Sequence, residues 1–263
     1  MSTLAREVEL VWHDLTPRLL EVVRVQRLTP GMARVTLGGE ELDGFKYGAP
    51  DDHVKVFFPA PGAELPVMPT LGEEGLEPPP PGSPLPIYRD YTIRYLRPEK
   101  RELDIDFVLH QHGPGGSWAA TAQPGQRVGI LGPRGSNLVP YTFDWYLLGA
   151  DETALPALAA WLEQLPAGAT VLAFAEVAGE AERHELDHVQ WLFRDRGETL
   201  AAAIERQTLP EGDGYVWIAG EATGLKPIRR ELRGRGLNRK WMEIDGYWKR
   251  GVENLDHHED DDE

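Results

Sequence analysis

Three consecutive segments, Arg89-Asp-Tyr-Thr-Ile-Arg94, Phe107-Val-Leu-His110 and Gly113-Pro-Gly-Gly-Ser-Trp-Ala119, carry the groups that a planar, phosphorylated cofactor needs. In an extended strand Arg89 and Tyr91 share one face and Thr92 and Arg94 the other, unless a bulge intervenes. A flavin requires a flat aromatic neighbour for its isoalloxazine, a hydrogen-bonding group near its redox-active nitrogen and positive charge near its diphosphate. Tyr91, Thr92 and Arg89 or Arg94 supply these in turn. Alone, the six residues also describe an ordinary edge strand with exposed arginines and a half-buried tyrosine. The glycine-led loop turns the reading toward FAD. It precedes a short helix expected over 117–122, whose unpaired backbone N–H groups and dipole attract a pyrophosphate. Gly115 and Gly116 let that backbone come close to it.

These segments sit in a first half that alternates and is punctuated by turns. Strands are expected over 21–27, 33–38, 52–59, 89–96, 102–110 and 126–132, which suits a six-stranded antiparallel β-barrel. In the fifth, Leu103, Ile105, Phe107 and Leu109 share one face, while Asp104, Asp106, Val108 and His110 share the other, where a ligand could be met. Residues 60–87 form a Pro-rich insertion, with proline at 61, 66, 69, 78, 79, 80, 81, 84 and 86. So many prolines exclude a sheet or helix interior and imply a surface excursion.

From about residue 142 strands alternate with helices. The expected strands cover 145–149, 170–176, 189–194, 215–219 and 241–245, and the helices 152–165, 198–207 and 222–235. This order implies a Rossmann-like α/β domain with a parallel sheet and ligands beyond its carboxyl ends. Asp151-Glu-Thr153 and Gly220-Glu221 fall at those ends, although Asp151-Glu-Thr also suits a plain helix N-cap. The domains expected are therefore 1–140, 141–252 and an acidic, disordered tail over 253–263.

Composition narrows the chemistry. The chain of 263 residues contains no cysteine, which removes disulfides, thiolate nucleophiles and cysteine-held metal clusters. Redox work must then fall to a bound cofactor. A net charge of −16 argues against a nucleic-acid binder. No apolar run approaches a membrane span, and the start lacks the layout of a signal peptide, so a cytoplasmic protein is expected. His110 and His112 flank Gln111 without a third ligand, and His257 and His258 lie in the tail; no metal site is expected. Arg194, Arg229, Arg230 and Arg233 would suit a nucleotide 2′-phosphate, or equally the solvated face of surface helices.

The ordered set Asp52-His-Val-Lys-Val-Phe-Phe-Pro59, Arg89 to Arg94, Asp106 to His110, Gly113 to Ala119, Asp151-Glu-Thr-Ala-Leu-Pro156, Ala219-Gly-Glu221 and Tyr247-Trp-Lys-Arg-Gly251 resembles the siderophore-interacting proteins. These are FAD-dependent ferric-siderophore reductases of the ferredoxin-reductase-like superfamily. The resemblance covers nearly the whole chain and implies an FAD-binding barrel followed by a domain for NADH or NADPH. It implies that Tyr91 stacks on the isoalloxazine, that Arg89, Thr92 and Arg94 bind ring edge, ribityl and phosphates, and that Asp106, Phe107, Val108 and His110 line the adenine and ribityl side. Gly115, Gly116, Ser117, Trp118 and Ala119 would hold the diphosphate, with Gly115-Gly116 standing where the family usually has Ala-Ser. Asp151, Thr153 and Ala154 would approach FAD, Gly220 and Glu221 the nicotinamide nucleotide, and Tyr247 and Trp248 would cover one of the two. Lys55, Arg134, Lys249 and Arg250 would form a basic wall for an anionic ferric siderophore; Lys55 and Arg134 are otherwise ordinary exposed strand and turn residues. The function implied is electron transfer from NAD(P)H through FAD to Fe(III), in a monomer, with no side-chain acid or nucleophile. A general flavin or ferredoxin-type reductase, and a non-catalytic carrier of FAD or siderophore, are the alternatives.

Overall fold

The computed structural model describes residues 6–72, 75–77, 80–110 and 113–252. His112 and the acidic tail, with His257 and His258, lie outside the described residues. The described residues divide into two compact units, Glu9–Leu138 and a second made of 6–8 and 139–252.

In the first unit the strands are β1 (Glu9–Trp12), β2 (Arg18–Thr29), β3 (Met32–Gly38), β4 (His53–Phe58), β5 (Leu71–Gly72), β6 (Gly75–Leu76), β7 (Ile87–Thr92), β8 (Tyr95–Arg97), β9 (Glu102–Val108), β10 (Arg127–Leu131) and β11 (Gly135–Leu138), with one helix, α1 (Pro114–Thr121). Seven of the strands form one antiparallel sheet in the order β7-β4-β10-β2-β3-β9-β8. Its two edges, β7 and β8, belong to the single stretch expected as one strand over 89–96. The stretch breaks at Ile93-Arg94, where the Ile93 N–H donates to the Asp52 carbonyl (2.8 Å) and the Arg94 N–H to the Asp104 carbonyl (2.9 Å). One bent strand thus pairs with β4 by its first half and β9 by its second, closing the six-stranded barrel.

Inward-facing Val22, Val35, Leu37, Val54, Val56, Leu103, Ile105, Phe107, Val128 and Ile130 are fully buried and fill the barrel. At roughly 1.5–3 kcal/mol per large apolar side chain, this alternation is what fixes register. The opposite face of β9 is not open to a ligand at its centre. Asp104 takes a fork from Arg97 (2.8 and 2.6 Å) and the Thr36 hydroxyl (2.6 Å), and Asp106 takes one from Arg34 (2.6 and 2.8 Å). Burial alone would raise the Asp104 carboxyl, but Arg97 and Thr36 outweigh it and hold it below the usual carboxylate range.

Two small ribbons went unseen in the sequence: β5 with β6 inside the Pro-rich insertion, and β1 with β11 beside the barrel. Each has strands of only two to four residues, too short for alternation to show.

The second unit holds β12 (Trp145–Asp151), α2 (Leu155–Gln164), β13 (Val171–Val177), β14 (Val189–Phe193), α3 (Leu200–Glu205), β15 (Gly214–Glu221), α4 (Ala222–Gly234) and β16 (Met242–Trp248). The five strands are parallel, in the order β14-β13-β12-β15-β16. β16 runs three residues beyond its expected end, carrying Gly246, Tyr247 and Trp248 into the sheet. Arg6 belongs to this unit: its guanidinium bonds the Asp144 and Asp213 carboxylates and the Thr142 carbonyl, and its own carbonyl accepts the Trp241 indole N–H at 3.1 Å. No helix among the described residues is long and apolar enough to cross a membrane.

Candidate active site

The barrel unit gathers the first candidate group around the bend between β7 and β8. Tyr91 is half-buried, its ring 4.4 Å from that of Phe107 and edge-on to Phe58 at 6.2 Å. Desolvation pushes its phenol well above the ordinary tyrosine range, so it stays neutral at any working pH. Arg94 is 6% exposed and its guanidinium lies 3.9 Å from the centre of the Tyr95 ring. Thr92 is 5% exposed, and its hydroxyl has no hydrogen-bond partner among the described residues. An unpaired buried hydroxyl costs about 1–3 kcal/mol, so one next in the chain to Tyr91 suits a ligand atom.

Helix α1 starts at Pro114, three residues before the expected start, so Gly115 and Gly116 form its first turn instead of preceding it. Gly113 caps it at φ 98°, a left-handed conformation that favours glycine, with no side-chain cap, and proline at the first position has no N–H to satisfy. The first-turn amides of Gly115, Gly116 and Ser117 therefore sit at a positive helix end that no side chain among the described residues caps. The glycines have a second role that spacing did not reveal. A Cβ on Gly115 would lie 1.8 Å from the Tyr91 hydroxyl, and one on Gly116 would lie 2.8 Å from the Val108 carbonyl oxygen and 2.9 Å from the His110 nitrogen. They let α1 settle against the aromatic wall and the end of β9.

The remaining barrel candidates divide. Val108 and His110 follow the Asp106 fork toward α1, and the Ser117 hydroxyl reaches the His110 carbonyl at 3.4 Å. Phe107 is fully buried on the inward face, so its side chain supports Tyr91 and cannot face the same way as Asp106. Ala119 is buried in the barrel core. Trp118 packs on Phe58 and Phe107 and lines a cavity of about 740 Å³ with residues 59–65 and 125–127. Arg89 donates to the Tyr88 carbonyl at 2.7 Å. Lys55 is not a bare cation: both Asp90 oxygens lie 3.0 Å from its ammonium, which also sits 5.0 Å from the centre of the Tyr88 ring. Arg134 is exposed.

A hydrogen-bonded trio in this unit, two of its members buried, was missed. The Ser136 hydroxyl donates to Asp52 (2.6 Å) and meets His13 Nε2 at 2.7 Å, while Asp52 also accepts the Gly48 and Ala49 N–H groups (2.6 and 3.0 Å). Because serine stands between acid and imidazole, the trio lacks the order that activates a nucleophile. It anchors β11 to the residue whose carbonyl holds Ile93.

In the second unit one carboxylate organises the carboxyl ends of three strands. Asp151, 5% exposed, accepts the Thr153 N–H (2.9 Å) and hydroxyl (2.6 Å) on one oxygen, and the Glu221 N–H (2.9 Å) and Trp248 indole N–H (2.8 Å) on the other. Burial raises its pKa to about 6 despite those donors, with nearby Glu152 adding to the rise. Gly220 must be glycine here, since a Cβ would lie 2.8 Å from the Asp151 carboxyl carbon. Glu221 caps α4 through the Gly224 N–H (2.8 Å) and accepts the Arg250 N–H (3.3 Å). Asp151, Thr153, Gly220, Glu221 and Trp248 thus form one cluster, with buried Ala154 behind it and half-buried Tyr247 and Lys249 on either side of Trp248 along the chain.

Two of the four arginines considered for a 2′-phosphate are committed elsewhere. Arg229 is 8% exposed and donates to the Ile244 carbonyl, and Arg194 is paired with Glu152 and Glu176. Arg230 and Arg233 remain exposed on α4. Among the described residues no three His, Asp or Glu side chains gather as a metal site.

The model of the siderophore-interacting FAD-binding domain matches residues 21–137, and that of the siderophore-interacting protein matches 143–251. The chain is a member of the siderophore-interacting protein family. It is 36% identical to the ferric vibriobactin reductase ViuB of Vibrio cholerae, over 98% of this chain and 97% of that protein. It is 37% identical to the NADPH-dependent ferric-chelate reductase of Escherichia coli, over 94% and 99%. The crystal structure of a siderophore utilization protein from T. fusca superimposes with a TM-score of 0.89 at 48% identity, covering 96% of this chain and all of that one. The fold is that of an FAD-binding barrel joined to a Rossmann-like α/β domain.

Proposed function

We propose that this siderophore-interacting family member is a cytoplasmic, monomeric ferric-siderophore reductase that uses FAD and takes its electrons from NADPH or NADH. The observation that carries the reading is the Thr92 hydroxyl, buried without a partner among the described residues and next in the chain to Tyr91, whose phenol meets the start of α1 at Gly115. A flavin fits that set. Tyr91 offers a ring face, Thr92 a hydrogen bond at the ring edge, Arg94 and Arg89 positive charge, and the α1 amides a seat for phosphate oxygens.

Bound there, FAD would supply the exchange between the two electrons of one hydride and single-electron transfer, so one reduced nicotinamide would serve two ferric ions. The protein holds groups in place and supplies no acid, base or nucleophile. In the second unit Asp151 holds Trp248, Thr153 and Glu221 at the carboxyl ends of the sheet, where a nicotinamide nucleotide belongs. A chain of net charge −16 needs local cations to admit an anionic ferric chelate. In the barrel unit exposed Arg134 fills that role more readily than Lys55, whose charge Asp90 offsets. Iron leaves because hard anionic oxygen ligands hold Fe(II) less tightly than Fe(III).

The test is spectroscopic. Protein loaded with FAD and mixed anaerobically with NADPH, and separately with NADH, should lose its visible flavin bands with at least one of them. Failure to take up FAD, or oxidised bands that persist with both nucleotides, would remove the reading.

A further inference from the structure

The β1–β11 ribbon presents an aromatic side chain that the packing of the barrel does not explain. Trp12 is 64% exposed and Leu10 49%, on the same face of β1. Leaving an indole in water forgoes the burial that usually retains tryptophan. The ribbon itself is firmly built. Trp12 lies across from Gly135, where a Cβ would come within 3.4 Å of the indole. The His13 N–H donates to the Arg134 carbonyl at 3.0 Å, and the neighbouring Ser136 is tied to buried Asp52. The Arg134 guanidinium lies 5.5 Å from the Trp12 ring centre. An exposed indole and an exposed guanidinium are thus held together on a rigid support.

The support also has a defined address. Asp52 binds Ser136 through its carboxylate and the Ile93 N–H through its carbonyl, so the ribbon is pinned one residue beyond the unpaired Thr92. At Gly132, where β10 leads into the ribbon, a Cβ would lie 3.3 Å from the carbonyl oxygen of His53, the residue in register with Thr92.

We propose that Trp12 determines substrate selectivity, by stacking on the aromatic rings of ferric catecholate or phenolate chelates while Arg134 faces their anionic oxygens. The proposal rests on the ferric-siderophore reading and names a substrate class within it. An indole face favours a planar aromatic ligand over an aliphatic one. A guanidinium adds attraction for an anion in a chain whose overall charge repels it. Hydroxamate and carboxylate chelates have no ring to stack, so they would meet Arg134 alone.

The experiment compares wild type, Trp12→Ala and Trp12→Phe with two ferric probes, the tris-catecholate enterobactin complex and ferric citrate. Binding is measured by calorimetry on the FAD-loaded protein and turnover by trapping Fe(II). In Trp12→Ala the catecholate-to-citrate ratio of affinities, and of kcat/KM, should fall roughly fivefold, the worth of one aromatic contact. Trp12→Phe should recover most of it. FAD content reports that each variant is folded. An unchanged ratio overturns the proposal, as does an equal loss for both probes. A wild-type dimer that dissociates on Trp12→Ala would put a second copy of the chain on the ribbon instead, and also overturn it. Selective loss of catecholate binding in a protein that reduces neither probe would retain the platform while removing the reductase reading.

Discussion

Thr92 is the residue at which structure and chemistry meet most closely. Its hydroxyl is sealed from water without a partner, so Thr92→Val should leave the FAD-free protein as stable or more stable by about 1 kcal/mol, and weaken FAD binding roughly five- to tenfold. Thermal unfolding of the FAD-free form and a flavin titration measure the two halves separately. Gly116 makes the converse case. Alanine is the better helix former, yet its methyl would press on the Val108 carbonyl and the His110 backbone. Gly116→Ala should cost about 1–3 kcal/mol and displace the first-turn amides, with a matching fall in FAD affinity. The residue types of the Arg89–Arg94 segment and the opposite faces of Tyr91 and Thr92 follow from the sequence and strand alternation, whereas the face of Arg94 does not, because the strand breaks at Ile93-Arg94. The reason for two glycines at 115 and 116 was not, since it depends on which side of the helix meets Tyr91 in space.

Among elements, the bent strand from Ile87 to Arg97 and the ends of the parallel strands position everything else. Sequence placed both, because long runs of Val, Ile, Leu and Phe with the right period leave little choice of structure. It could not show the break at Ile93-Arg94, where the residue types continue as before and only pairing with opposite edges separates the halves. Likewise, Asp151 looked like a helix cap, and nothing local indicated that Glu221 and Trp248 converge on it. That convergence has a pH signature. The Asp151 carboxyl titrates near pH 6 in the folded chain against the ordinary 3.8. Folding thus favours its protonated form, and its contribution is complete below about pH 3.8 and lost as pH rises through about 6. The stability advantage of wild type over Asp151→Ala, measured by denaturant unfolding across this window, should shrink by up to about 3 kcal/mol between pH 4 and pH 7. A difference that grows with pH would contradict the burial argument.

On the scale of the whole molecule, two sheets of opposite kind divide the labour, a closed antiparallel barrel for the flavin and an open parallel sheet for the nucleotide. Arg6 to Val8 belong to the second unit, ahead of the strands that build the first. Arg6 bonds Asp144, Asp213 and Thr142, and its guanidinium carbon lies 5.5 Å from the centre of the Phe143 ring. Its partners Asp144 and Asp213 are half exposed, so solvent screening limits the gain. Arg6→Ala should therefore lower the stability of the second unit by about 1–2 kcal/mol, read as a lower thermal midpoint, with a smaller difference at high salt. The order of strands and helices made the barrel and the parallel α/β sheet legible; the placement of Arg6 to Val8 with the second unit left no periodic trace. The central claim is that electrons pass from nicotinamide through a flavin to chelated iron. It is tested most directly by reducing the FAD-loaded protein anaerobically with NADPH or NADH, removing excess nucleotide and adding a ferric siderophore with an Fe(II) trap. The account predicts return of the oxidised flavin bands as two Fe(II) appear per flavin; bands that stay bleached, with no trapped Fe(II), would contradict it.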